Sequence, residues 1–370
     1  MRNMIDSTVT MRKDEKSSTL MKAVVRERYG SPEVLQIKEL EKPAPDDVRG
    51  VLVKIYASSV NPADRYEMTG GPNLLLRIVV TLRSGLRRPK DPRLGNDFAG
   101  KVEAVNSNVT KFKPGDEVYG VCIGAYAEYA SAKENRIALK PGNRSFEESA
   151  AVGIAGFTAL QALRNHGHIQ AGHKVLINGA GGGVGTFAVQ IAKSFGAEVT
   201  AVTNAQNLDL VRKLGADHVV DYSKEDFTRN GQRYDLIVDI AAAHSISDYK
   251  RMMNPHATFV LVGMRDKILR RLLSFIVRSK LSRGDKKFVF FVAKSNQEDL
   301  VILKELMEGG KIVPVIDRRY PLGETAQAMR YLIEGGARGK IVIRVDHQDE
   351  KQVSDPSPTL NPRLDTKSTG

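Results

Sequence analysis

Cysteine is nearly absent: the chain has one, Cys122, and it has no tryptophan at all. A lone cysteine excludes an internal disulfide framework and any zinc site built from several thiolates. It makes a reduced, cytoplasmic setting the expectation. Long apolar runs are missing too, since no stretch reaches the ~18 residues that mark a transmembrane helix. The first 20 residues hold no apolar core of signal-peptide length, so secretion by that route is not expected.

Positive charge is plentiful, and the net charge is +13. It is also local. Residues 77–93 carry a net +5 and residues 265–287 a net +7, so two segments hold +12 of the total. A general nucleic-acid binder would spread its basic residues over a whole face. The two basic inserts need an explanation of their own, and nucleic acid is not an expected partner.

The chain divides by pattern. Residues 1–20 and 347–370 are polar and aperiodic and read as disordered tails. Residues 21–143 are rich in β-type runs and turns, such as Val51–Tyr56 and Lys113–Tyr119. Near Ser145 the character changes, and Ser145 with Glu148 forms a capping box before an Ala-rich helix. From Lys174 strands alternate with helices. The strand-like runs are Lys174–Asn178, Glu198–Thr203, His218–Asp221, Asp235–Ile240, Thr258–Gly263 and Lys287–Val292. This predicts a doubly wound parallel sheet. Two helices, Glu298–Glu308 and Gly323–Glu334, precede a last strand, Gly339–Val345, expected to return to the first domain. The fold class is therefore α/β, a mostly β domain (21–143 with 296–346) beside a parallel-sheet domain (144–295).

The most specific motif is Lys174–Gly185. A buried strand runs into a glycine-rich turn and then into a helix with Val184, Phe187, Ala188, Ile191, Ala192 and Phe195 on one face. Ala180, Gly182 and Gly185 stand in the register of G-x-G-x-x-G, with Gly183 and Val184 between them. Such glycines let backbone approach a pyrophosphate, whose charge a helix N-terminus favours. An NAD site normally carries an acid about 20 residues further on. Here the second strand ends Thr203-Asn204-Ala205-Gln206, without one. Asn204 does not repel a 2′-phosphate, and Lys213 offers positive charge. NADP(H) is favoured over NAD(H).

Several segments in order resemble the medium-chain dehydrogenase/reductase superfamily, closest to its zinc-independent quinone-oxidoreductase-like branch. They are Val60–Tyr66, Leu94–Val102, Lys113–Val118, Gly156–Leu160, Gly179–Gly185 and Leu214–His218. The resemblance covers about residues 21–346 and implies a GroES-like catalytic domain beside a Rossmann cofactor domain. It places the catalytic-zinc ligand positions on Asn61, Asn96 and Ala155, which cannot replace thiolate and imidazole. No zinc is expected. The resemblance further implies that Asn61 and Tyr66 line the nicotinamide end of the cleft and that Thr158 lies near the nicotinamide. Tyr222 matches a residue near the adenosine 2′-phosphate, and Gly263 ends the strand that faces the nicotinamide. Without zinc, an electron-poor acceptor suits hydride addition: a quinone or an α,β-unsaturated carbonyl, with the proton from Tyr66 or from water. Cys122, with no base paired to it, reads as a small buried hydrophobe.

The inserts Leu74–Arg93 and Arg265–Lys287 mix apolar residues with arginines. They serve either to cap a domain or to form a basic rim that contacts a membrane surface. Pairing through the apolar run Phe288–Val292 would give a homodimer. Two rival readings remain: an alcohol or aldehyde dehydrogenase-reductase, which the missing zinc ligands oppose, and a cofactor-binding scaffold without turnover.

Overall fold

The computed structural model describes residues 20–45, 48–71, 85, 88–242, 244–262 and 285–347. The expected tails up to residue 19 and from 348, Gly263, and most of both basic inserts lie outside the described residues. Leu20 opens the first strand, and His347 donates from Nε2 to the Ile55 carbonyl, 2.8 Å away. Among the described residues no helix is long and apolar enough to cross a membrane.

The parallel sheet forms where the alternating pattern predicted it. Its order is His218–Asp221, Glu198–Thr203, Lys174–Asn178, Tyr234–Asp239, Met253–Leu261, Lys287–Phe290, and every pairing is parallel. The central strand is covered on both faces, which is why Val175, Leu176 and Ile177 run without a polar break. The order in which the chain lays down strands reverses beside that strand. There the Asn178 Nδ2 donates to Asp239 Oδ1 at 2.8 Å, tying two carboxyl ends together at the switch point where ligands bind in such sheets. The last strand stops at Phe290, because its partner Leu261 is also the end of its own strand; Val292 lies beyond and is exposed.

The second sheet is built on one long strand, Gly50–Val60. Its first half pairs antiparallel with Tyr129–Lys133, and its last residues pair with Lys340–Arg344 from the end of the chain. On its other edge lies Asp97–Val105, followed by Glu117–Val121 and Ile137–Leu139. Lys340–Arg344 thus returns to the first domain, flanked by the parallel strand Ile316–Pro321. Two helices seal the joint. Phe146–Ala150, capped by the Ser145–Glu148 box, lies on Gly50–Val60 and Asp97–Val105. Gln297–Glu308 packs on the helix Gly153–Leu160 and on Ile137–Leu139, with Tyr119 Oη donating to the Leu300 carbonyl at 2.5 Å.

Helix Gly183–Ser194 sits on the central strand through Phe187, Ala188, Ile191 and Ala192, all fully buried. Its closeness depends on Gly185. A Cβ there would stand 2.2 Å from the Gly179 carbonyl oxygen and 2.6 Å from the Ala180 Cα, both backbone atoms. Gly185→Ala is expected to cost about 1–3 kcal/mol, the usual range for overpacking. Urea denaturation checks this, and an unchanged midpoint would show that the helix can shift freely.

Candidate active site

The glycine turn leaves room in one place. At Gly181 a Cβ would meet the Asn207 Nδ2 at 2.5 Å and the Thr203 Oγ1 at 2.6 Å. At Gly182 the nearest atom is 3.7 Å away. Gly182 is the N-cap of Gly183–Ser194, whose first N–H groups have no intrahelical acceptor. Open backbone at a helix N-terminus fits a pyrophosphate. Beside it, Oδ1 of Asn204 and Oδ1 of Asn207 are buried without a protein partner among the described residues, as ligand-facing acceptors would be. These residues fit a dinucleotide.

The final strand passes directly beneath this turn. Gly339 donates its N–H to the Gly181 carbonyl at 3.1 Å and bridges to Gly182. Gly339 has φ +89, and a Cβ on it would stand 2.4 Å from the Val315 carbonyl oxygen, so only glycine passes here. On either side of it, the Arg338 guanidinium reaches the Gln206 Oε1 at 3.3 Å, and Lys340 turns into the protein. Lys340 is 3% exposed. Its Nζ donates to Asn61 Oδ1 at 2.5 Å and to Asp97 Oδ2 at 3.2 Å. Asp97 also accepts from Asn61 Nδ2 at 2.9 Å, from Ser59 Oγ at 2.9 Å and, on Oδ1, from the Ile154 N–H at 2.8 Å. Gly153 makes room for that carboxylate: a Cβ would be 2.2 Å from Oδ1. One carboxylate thus joins Asn61, Lys340 and the helix carrying Thr158.

A second buried group lies one turn on. Asn61 caps the helix Pro62–Thr69, and its N–H donates to Asp64 Oδ2 at 2.7 Å. Asp64 also accepts from Tyr126 Oη at 2.8 Å and from Asn96 Nδ2 at 2.6 Å. Burial, and then the nearby Glu67 charge, push its carboxyl up to about 7 against the pull of those hydrogen bonds. Burial also pushes Cys122 up to about 12, which suits packing rather than nucleophilic work.

The residues expected from the sequence are placed unevenly. Asn61 and Gly183 come together through Lys340, whose Cδ lies 3.2 Å from a Cβ built on Gly183. Tyr66 is half-buried on the helix that Asn61 caps, and Thr158 is buried on Gly153–Leu160. Ala180 is buried in the turn, while Val184 is half-buried just inside the helix. Asn204 follows the second strand, and Tyr222, 57% exposed, donates its N–H to the Thr203 carbonyl at 3.1 Å. Lys213 sits in the last turn of Leu208–Lys213, exposed, at the end of the helix away from Asn204. Gly263 lies outside the described residues. Lys340, Asp97, Arg338 and Asp221 escape sequence reasoning. Lys340 opens an apolar strand and reads as an exposed strand end. Arg338 and Asp221 are remote in sequence from the glycines; Asp221 ends the strand beside Thr203 with Oδ2 buried and unpartnered among the described residues.

Comparison with known proteins shows the family. Residues 47–142 match the alcohol dehydrogenase GroES-like domain family, and residues 214–343 match the zinc-binding dehydrogenase family. The chain is 33% identical over 343 residues to the chloroplastic quinone-oxidoreductase QR1 of Triphysaria versicolor, covering 88% of this chain and 98% of that one. It is 33% identical over 363 residues to the human mitochondrial NAD(P)H oxidoreductase RTN4IP1, covering 89% and 90%. The solved quinone oxidoreductase of Coxiella burnetii superposes with a TM-score of 0.76 at 28% identity, over 88% of this chain and all of that one. The chain therefore belongs to the medium-chain dehydrogenase/reductase superfamily, with quinone oxidoreductases among its relatives, as an NAD(P)H-dependent oxidoreductase. The zinc in one family's name does not fit the donor set here: Asn61, Asn96 and Ala155, at the positions the resemblance aligns with the ligands, offer two carboxamides and a methyl.

Asp64 makes stability depend on pH. The folded carboxyl keeps its proton to higher pH than the unfolded one, so its contribution is full below about 3.8 and is lost as pH rises to about 7. The stability difference between wild type and Asp64→Asn should fall across that window and level off above it. Urea unfolding at stepped pH measures this, and a difference that stays flat would overturn the assignment.

Proposed function

We propose that this chain is a zinc-independent, NADPH-preferring reductase of quinones or α,β-unsaturated carbonyls. The observation that carries the reading is the Asn61–Asp97–Lys340 cluster: a buried polar site directly beneath the dinucleotide turn, built without cysteine or histidine. When bound, the nicotinamide supplies a hydride. The protein's part is to hold the dinucleotide on Gly182–Gly185 and to line the nicotinamide end of the cleft with Asn61, Tyr66 and Thr158. An electron-poor acceptor needs no Lewis acid, because hydride addition places charge on a conjugated oxygen that hydrogen-bond donors stabilise. Tyr66 or water then supplies the proton.

The preference for NADPH is supported by the missing acid after Thr203 and by the Arg338 guanidinium over the same turn. Asp221 is the counterweight, since a carboxylate suits a ribose hydroxyl better than a phosphate. The same proposal divides the chain into a GroES-like unit of 21–143 with 296–346 and a Rossmann unit of 144–295. In support, one sheet draws its strands from residues 50–139 and 316–344 and the other from residues 174–290. A cytoplasmic setting and contact of the basic inserts with an anionic membrane belong to the proposal on sequence grounds alone.

Nicotinamide absorbance, followed with a panel of quinones, enones and aldehydes, tests the function. Turnover of quinones or enones with NADPH is expected, and Arg338→Ala should raise the NADPH KM about tenfold while leaving NADH alone, the scale of one lost charge contact. Turnover confined to aldehydes, or none, overturns the reading. A homodimer is proposed through Lys287–Phe290, the last strand of the parallel sheet among the described residues, whose Phe288, Val289 and Phe290 are half-buried. Sedimentation velocity should give twice the chain mass at micromolar concentration, and a monomer there would exclude this interface.

A further inference from the structure

The carboxamide of Asn61 is held by two groups that distinguish its ends. An ammonium only donates and a carboxylate only accepts. Oδ1 must therefore face Lys340, at 2.5 Å, and Nδ2 must face Asp97, at 2.9 Å. The other Nδ2 hydrogen goes to the Ser59 carbonyl at 3.2 Å. A flipped carboxamide would set its NH2 against the ammonium and its oxygen against the carboxylate, losing both hydrogen bonds and placing like partial charges together. Both amide hydrogens are thus consumed inside the sheet, and Oδ1 keeps one lone pair. Asn61 has an acceptor to offer a ligand and no donor.

Lys340 is placed to enforce this from the cofactor's side. Its backbone follows Gly339, which pairs with Gly181 and bridges to Gly182, and its side chain runs past Gly183 before reaching Asn61. One residue thus touches both the dinucleotide turn and Asn61.

We propose that Lys340 is a positioning residue that locks Asn61 as an acceptor for the dinucleotide, through an N–H or hydroxyl of its nicotinamide riboside end. Asn61 then does not donate to the oxygen of the reduced acceptor, and that donor comes from another group. The inference rests on the dinucleotide reading above, not on the choice of acceptor.

Four proteins decide it: wild type, Lys340→Met, Asn61→Ala and the double variant. The first readout is NADPH affinity by nicotinamide fluorescence, which needs no turnover. Each single variant should weaken binding about tenfold, and the double no more than either alone, because the two act as one unit. Lys340→Arg, still a pure donor, should recover affinity to within about threefold. Turnover is the second readout: the quinone KM should stay where it is. If the double variant multiplies the losses to about a hundredfold, Lys340 acts apart from Asn61 and the proposal fails. It fails also if Asn61→Ala lowers kcat while NADPH affinity is unchanged, which would make Asn61 a donor to the acceptor. In Lys340→Met, Asp97 keeps its other donors but loses its counter-charge, so the variant's folding is checked first. Should that variant unfold, Lys340→Gln, which can bond without forcing the orientation, takes its place in the same comparison. Wild type that binds NADPH without turning over any acceptor defeats the quinone reading and leaves this one to the affinities; wild type that binds no dinucleotide defeats both.

Discussion

A lysine ammonium cannot be buried without partners, and at Lys340 the structure meets that demand with Asp97 and Asn61. Much of the molecule is arranged around that requirement. The last strand must return to the first sheet so that its opening residue reaches Asp97. Gly153 must lack a side chain so that the carboxylate can also take the Ile154 N–H. Removing one member of such a set leaves the other charge exposed to a low-dielectric interior, which is more costly than never having buried the pair. The cluster is therefore a joint as well as a site.

The second constraint is closeness. Strand, turn and helix of the dinucleotide motif pack so tightly that Gly185 has no space for a methyl, and Gly339 passes the turn only because φ +89 suits glycine. The glycines divide the work. Gly185 lets helix meet strand, Gly182 leaves room for a ligand, and Gly339 admits the final strand. The two constraints meet at the tripeptide Arg338-Gly339-Lys340, where consecutive residues touch the β-α turn at Gln206, the glycine turn and Asn61.

Asp64 and Asn96 show how a polar pocket is kept without a metal-ligating set. The carboxylate takes three donors, from Asn61, Tyr126 and Asn96, so its buried oxygens are satisfied while burial still raises its proton affinity. The helix start that presents Asn61 is fixed by the same contact, so the pocket's rigidity and its titration are one property.

Periodicity and turn chemistry in the sequence alone determined the parallel sheet, the capping box at Ser145 and Glu148, and the glycine turn, because these depend on neighbours a few residues apart. Asn61 was legible as well, through the positions that the family resemblance aligned. Strand ends shifted by a residue or more at Tyr234, Met253 and Phe290, since hydrogen-bond partners on other strands set where pairing stops. Only the tertiary structure decided the roles of Lys340, Arg338 and Asp97. Their partners lie far off in the chain, 279 residues from Lys340 to Asn61, and nothing local marks a lysine at the head of an apolar strand as buried. Which way the Asn61 carboxamide points was likewise beyond the sequence, because it follows from the sign of the groups on its two sides.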